Sequence, residues 1–277
     1  MGHDVVVLAV HGMGATKADF ADDLESGLRK RLDDAWNSVY FDSIYYQEVL
    51  QPNQERVMRQ MMKGGAIDFV KLRRFMLYGF SDAAGLERGS HIPGSPYEQV
   101  QTIIRQTLEK AYDFIGETRP VVLIAQSLGG QVMSNYIWDA QRRGGASCGV
   151  WCSRDGGVDR DARANFTRLK SLRYFYTTGC NIPIFVSGLP DDQIKAITTN
   201  GKGYSFRWKN YYDEDDVLGW PLKPLSTSYK TAIHRDYEIN VGGLLNSWNP
   251  MSHTSYWRDR DVLKPLVRDI QSLVGGQ

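Results

Sequence analysis

The sequence predicts an α/β fold with a mostly parallel sheet, on three observations. Two continuous apolar runs, one over residues 4 to 10 and one over the VVLIA of residues 121 to 125, lack polar alternation, the pattern of strands buried on both faces. Each run ends in a turn bearing glycine or serine. Each turn is then followed by apolar residues at helical spacing, and strand, turn and helix in repetition imply crossover connections and parallel pairing.

In order along the chain, the first strand ends in His11-Gly12. Phe20, Leu24, Leu28 and Leu32 follow at four-residue steps and predict a helix after Thr16. Residues 39 to 47, VYFDSIYYQ, are β-branched and aromatic, and predict a second strand. Residues 52 to 94 predict two helices, near 55–62 and 66–78, followed by a loop over SDAAGLERGSHIPG. This segment is the expected place for a lid or cap inserted into a single domain over residues 1 to 277.

Ser95-Pro96-Tyr97-Glu98 is a capping box with proline at the first helical position. Val100, Ile103, Ile104, Leu108 and Ala111 continue it as one apolar stripe. The VVLIA strand leads through Gln126-Ser127-Leu128-Gly129-Gly130 into a helix expected over residues 131 to 142. Residues 144 to 168, rich in Gly, Arg and Asp, predict a surface excursion. Strands are expected over 171–178, 182–187 and 205–212, and a last helix runs from Leu263 to Val274 before Gly275.

Composition excludes several classes of function. Lys and Arg number 33 against 32 Asp and Glu, so no overall basic excess draws the chain to nucleic acid or to an anionic membrane surface. No apolar stretch approaches the roughly 18 residues of a membrane span, and the N-terminus lacks the basic region of a signal peptide. Cys148, Cys152 and Cys180 are odd in number and without metal-ligand spacing, which favours reduced thiols in a soluble, cytoplasmic protein.

The residues with chemical potential fall at the turns. Ser127 stands between a buried strand and a helix, with Ala125 and Gly129 two residues to either side. A serine nucleophile raised on a strained turn needs small neighbours at those positions, so that strand and helix can approach. A serine capping an ordinary helix would carry the same short string. His11-Gly12-Met13-Gly14 follows the first strand, where backbone N–H groups of Met13 and Leu128 could bind a developing oxyanion, each worth roughly 3 kcal/mol. HGMGAT lacks the spacing of a dinucleotide loop.

Of five histidines, His253 sits in a polar loop between the late strands and the last helix, where the base of a Ser, acid, His order belongs, whereas His11 reads as structural. The string YYDEDDVLG supplies the acid. Asp216 is favoured because it leads into Val217-Leu218 and can be buried against the imidazole; Asp213 is the next candidate, and Asp215 stays open. No group of His and carboxylates has ligand spacing, so no metal and no cofactor are expected.

Together, HGMG, AQSLGG, YYDEDDVLG and SHTSYW, in that order over residues 4 to 274, resemble the lipase and carboxylesterase branch of the α/β-hydrolase superfamily. Ala125 departs by one methyl group from the usual glycine of the GxSxG motif. The resemblance implies the α/β-hydrolase fold, a central sheet flanked by helices with an inserted helical lid. It also implies nucleophile Ser127, acid Asp216, base His253 and oxyanion donors Met13 and Leu128. The implied substrate is a small-molecule acyl ester, lipid-like because the single-glycine Gly12-Met13 turn resembles that of lipases and esterases accepting medium or longer acyl groups. Thioesterases and amidases use the same triad, and a catalytically silent scaffold would share the fold. Met61 and Met62, in a methionine-rich segment, are candidate acyl contacts; packing onto the core is the other role such residues take.

Overall fold

The computed structural model describes residues 2–63, 68–86, 92–141, 149–151, 161–198, 205–241 and 255–275. Strand β1 (Val5–Val10) has all six residues buried. Val6, Leu8 and Val10 join one apolar cluster, and Val5, Val7 and Ala9 join the other. The strand is therefore covered on both faces, as its unbroken apolar run requires. Burial of each such side chain contributes about 1.5–3 kcal/mol, so the central strands hold the fold together.

Among the described residues the sheet has six strands, all parallel, in the order β2-β1-β3-β4-β5-β6. The others are β2 (Val39–Ile44), β3 (Val121–Gln126), β4 (Leu172–Thr178), β5 (Arg207–Tyr212) and β6 (Ile233–Glu238). One face packs on α4 (Pro96–Ile115) and α5 (Leu128–Gln141), through Val100, Ile104, Leu108, Met133 and Ile137. The other packs on α1 (Asp22–Leu32) and α9 (Arg260–Gln271), through Leu24, Leu28, Leu263, Leu266 and Ile270. The cap is formed: Ser95 Oγ accepts from Glu98 N–H at 3.3 Å, while the Glu98 side chain turns back to the N–H of Gly94, one residue before the cap, at 2.6 Å and leaves Ser95 N–H to the Ile92 carbonyl.

Because β1 leads to β2 on one side and β3 lies on the other, strand order reverses between β1 and β3. At such a switch point the carboxyl ends of neighbouring strands diverge and leave a crevice for ligand. His11–Gly14 and Ser127 follow those two strands. Among the described residues, no helix is long and apolar enough to cross a membrane.

The structure corrects four expectations. Ile182–Val186 is helix α7, with proline in its first turn, instead of a strand; a five-residue apolar run has no period that separates the two. Strand β2 stops at Ile44, and α2 begins at Gln47 and runs to Lys63. Helix α3 spans Val70–Gly85 and takes in Ser81-Asp82-Ala83-Ala84, which read as loop. Strand β6 was not visible in the pattern. It is an edge strand of sequence IHRDYE with only its first residue buried, and edge strands of this kind carry charge instead of alternation. Two short helices, α6 (Ala162–Thr167) and α8 (Thr227–Ala232), complete the set.

Candidate active site

Ser127 has φ +53°, a left-handed conformation that costs a non-glycine residue about 1–3 kcal/mol. Its backbone is held there from both sides: Ser127 N–H donates to the Thr178 carbonyl at 2.9 Å, and its own carbonyl accepts from Gly130 N–H at 3.0 Å. The side chain does not cap α5. Its Oγ is buried and has no hydrogen-bond partner among the described residues, and a hydroxyl in that state costs about 1–3 kcal/mol. Strained backbone and an unpaired hydroxyl at one residue, in a turn between strand and helix, are the local geometry that a nucleophile elbow requires.

Close packing explains the small residues. A Cβ on Gly12 would stand 2.7 Å from Ser127 Cβ and 3.2 Å from the Gln126 carbonyl oxygen. Any side chain there would displace the serine. A Cβ on Gly129 would run into the His11 carbonyl, and one on Gly130 would meet Cys180 Sγ at 2.7 Å. Ala125 is fully buried in β3, so its methyl group fits.

His11 is structural, as its position in the turn predicts. Its Nε2 accepts from Tyr46 N–H at 3.1 Å, so Nδ1 carries the proton and donates to the Gly12 carbonyl at 2.8 Å. Its ring stacks on Tyr46 with centroids 3.9 Å apart. Burial pushes its pKa down to about 4, which keeps it neutral and fixes the Gly12 carbonyl. Met13 follows, with its sulfur 2.7 Å from where a Cβ on Gly79 of α3 would lie. Leu128 is the first residue of α5 and is buried.

Asp213 and Asp216 follow β5 and are both buried, whereas Asp215 and Glu214 are exposed. The two buried acids are used differently. Asp213 accepts from backbone N–H groups, those of Asp215 at 2.9 Å and Val241 at 2.5 Å, and so shapes its own turn. Asp216 accepts from Leu218 N–H at 3.0 Å and from the Tyr256 hydroxyl at 2.9 Å. The Tyr256 hydroxyl in turn accepts from Asp213 N–H at 2.9 Å. Gly219 lies over the Asp216 carboxylate, where a Cβ would stand 2.8 Å from Oδ2.

The next residue, Trp257, reaches the serine side. Its indole N–H donates to Thr178 Oγ1 at 3.2 Å, and Thr178 is the residue whose carbonyl holds Ser127 N–H. The chain entering α9 is thus fastened both to Asp216 and to the strand end beside Ser127. His253 and His91 lie outside the described residues. His3 precedes β1, at the opposite end of the sheet from Ser127, and packs on Tyr40 and Phe114. His234 is exposed on edge strand β6, and its pKa is lowered by desolvation and by Arg207, Lys209 and Lys223.

Two residues of the site have no signal in the sequence. Asp82 of α3 accepts from Gly14 N–H at 2.9 Å and from the Gln54 amide, contacts between segments remote in sequence. Tyr256 lies within SHTSYW, yet only the structure shows it bridging Asp213 and Asp216. Met61 and Met62 are exposed and not packed into the core. Met61 lines an apolar groove of about 460 Å³ between α2 and α3 with Met58, Phe69, Leu72, Arg73, Met76 and Leu77. Met62 is not among the residues lining that groove.

The parallel sheet, its strand order and the strained serine after β3 give the α/β-hydrolase fold. No protein-family model matches the sequence, and no curated protein matches it either. Solved structures similar in architecture include a truncated form of a carbohydrate esterase from gut microbiota (TM-score 0.47, 10% identity), over 100% of this chain and 88% of that one. A hyperthermophilic esterase from the archaeon Pyrobaculum calidifontis aligns over 98% of this chain and 76% of that one, with TM-score 0.45 and 12% identity. A lipase-esterase related protein from Clostridium acetobutylicum aligns over 98% and 95%, with TM-score 0.38 and 9% identity.

Proposed function

We propose that the protein is a serine hydrolase cleaving carboxylic esters through an acyl-enzyme, with Ser127 as nucleophile, His253 as base and Asp216 as acid. The observation that carries this is Ser127 itself: a positive-φ serine at the sheet's switch point, with a buried and unpaired hydroxyl. A structural serine would gain stability by capping the helix or by becoming glycine. Retention of an unpaired hydroxyl at a strained position is what a nucleophile requires.

The choice of acid and base rests on Tyr256 and Trp257. They fasten the segment three and four residues after His253 to Asp216 and to Thr178, and chain connectivity limits the Cα of His253 to within about 11 Å of that of Tyr256. Asp216 is preferred to Asp213 because its Oδ2 accepts from the hydroxyl of Tyr256, on the segment that follows His253, whereas both Asp213 carboxylate oxygens accept from backbone N–H groups.

In the first step Ser127 Oγ bonds to the ester carbonyl carbon while its proton passes to neutral His253. Negative charge collects on the carbonyl oxygen, where the N–H groups of Met13 and Leu128 stabilise it. Collapse of this intermediate breaks the bond to the alcohol, which leaves with the proton held by the imidazole. Water then attacks the acyl carbon, gives a proton to His253, and releases the carboxylic acid as the proton returns to Ser127. Asp216 stabilises the imidazolium at each stage.

A fluorophosphonate probe, which phosphonylates activated serines, tests the proposal. Stoichiometric labelling mapped by mass spectrometry to the Ser127 peptide is the expected result. A folded protein that fails to label is a silent scaffold, and the proposal falls. Turnover of ester, thioester and amide substrates with a common acyl chain then assigns the leaving group, with the ester expected to be fastest.

A further inference from the structure

Helices α2 and α3 pack side by side and present apolar side chains to solvent. Phe69 is 76% exposed, Phe80 64%, Leu72 57% and Met61 55%. Leu72, Met76 and Phe80 recur every four residues and so form one stripe along α3. These are not residues left over from core packing. The inward side of the same pair is made by Met58, Gln54, Tyr78 and Asp82, all buried. An exposed apolar stripe of this kind marks a surface for something else.

The charge around the stripe identifies the occupant. Residues 55 to 74 hold six basic side chains, Arg56, Arg59, Lys63, Lys71, Arg73 and Arg74, against two acidic ones, Glu55 and Asp68. All six are exposed. The concentration is local, since the whole chain balances 33 basic residues with 32 acidic ones. A helix pair that exposes Phe, Leu and Met together with Lys and Arg has the composition of a surface that lies in the headgroup layer of an anionic bilayer. A second copy of this chain fits poorly, because a twofold contact would set the same six cations against each other.

We propose that the exposed face of α2 and α3 is a docking surface for membranes bearing anionic lipids. Phe69, Leu72, Met76 and Phe80 enter the acyl boundary, and Lys71, Arg73 and Arg74 pair with lipid phosphates. The same helix α3 carries Gly79 against Met13 and Asp82 on Gly14 N–H, so its inner side adjoins the proposed oxyanion turn. The docking claim goes beyond the catalytic proposal and does not depend on it, because lipid binding needs no turnover.

The test is sedimentation of the full-length chain with vesicles of phosphatidylcholine alone and with equal parts phosphatidylcholine and phosphatidylglycerol. Binding is expected with the mixed vesicles and not with the neutral ones, and it should weaken as salt is raised. The triple variant Lys71→Ala, Arg73→Ala, Arg74→Ala should lower the partition constant by about 100-fold. Phe69→Ser with Leu72→Ser should also lower it, while far-ultraviolet circular dichroism stays at the parent level. Absence of binding by the parent chain would overturn the proposal, as would equal binding to both vesicles. Retention of binding by both variants would do the same. A parent chain that sediments as a dimer, and becomes monomeric with Phe69→Ser, would assign the face to self-association instead.

Discussion

The backbone N–H of Gly14 donates to the Asp82 carboxylate at 2.9 Å, which ties helix α3 to the turn that carries Met13. Asp82 is mostly buried, and desolvation pushes its pKa up to about 6 against the opposing pull of Gly14 N–H and the Gln54 amide. Its ionised form is the better acceptor for Gly14, and it is also the form that burial disfavours.

This sets a pH dependence of stability with a definite sign. A carboxyl whose pKa is raised in the folded state binds its proton more tightly there, so its contribution is full below the unfolded value of 3.8 and is lost as pH rises through about 6. Asp82→Asn keeps an acceptor for Gly14 and cannot ionise. The variant should therefore gain up to about 3 kcal/mol relative to the parent between pH 4 and pH 7. Urea unfolding of both proteins at the two pH values measures the difference, and parallel behaviour would contradict it.

A second prediction concerns Gly12. Its missing Cβ leaves room for Ser127 at 2.7 Å, so Gly12→Ala must shift the serine or the turn. Displacement of a nucleophile by a fraction of an ångström to 1 Å lowers kcat/KM by about 100-fold. The measurement is ester turnover by protein shown to be folded. A parent-like rate would separate the Gly12 turn from the chemistry.

The acid assignment is tested by a pair of variants. Asp216→Asn should lower kcat by about 10⁴-fold if Asp216 orients the base. Asp213→Asn should act mainly on stability, through its bonds to Asp215 and Val241 N–H. Tyr256→Phe removes a hydroxyl that donates to the Asp216 carboxylate and accepts from the Asp213 backbone N–H; the bond to the charged acceptor is worth about 1.5–3 kcal/mol, and its loss should slow turnover by roughly tenfold to a hundredfold. The reverse order for the two aspartates would move the acid to Asp213.

Truncation of Met61 and Met62 to Ala together should change the unfolding free energy by no more than about 1 kcal/mol, because both side chains are exposed. Had they been core residues, the loss would be about 2–5 kcal/mol for each. Turnover across acyl chain lengths, measured on the same variant, shows whether the groove containing Met61 selects the acyl group.

The sequence made legible what depends on neighbours along the chain. The runs at β1 and β3, the helix cap at Ser95 and the stripe of α4 each follow from local spacing, and so does the tight strand-to-helix turn at Ser127. What it concealed depends on contacts far apart in sequence. Strand β6 shows no apolar alternation because it lies at the sheet edge, so its pairing with β5 alone identifies it. Helix α3 runs past Ser81-Asp82 because Asp82 has partners in Gly14 and Gln54, 68 and 28 residues away. Ile182–Val186 is too short for a period. Tyr256 is a plain aromatic until Asp213 and Asp216 are brought to its hydroxyl.

The most direct measurement of the central claim is the rate and stability of Ser127→Ala. Loss of the nucleophile should lower kcat/KM for ester hydrolysis by more than about a thousandfold. Stability should fall by no more than about 1 kcal/mol, since the hydroxyl removed has no partner among the described residues. Hydrolysis by folded, pure Ser127→Ala at more than about one-tenth of the parent rate would contradict the account.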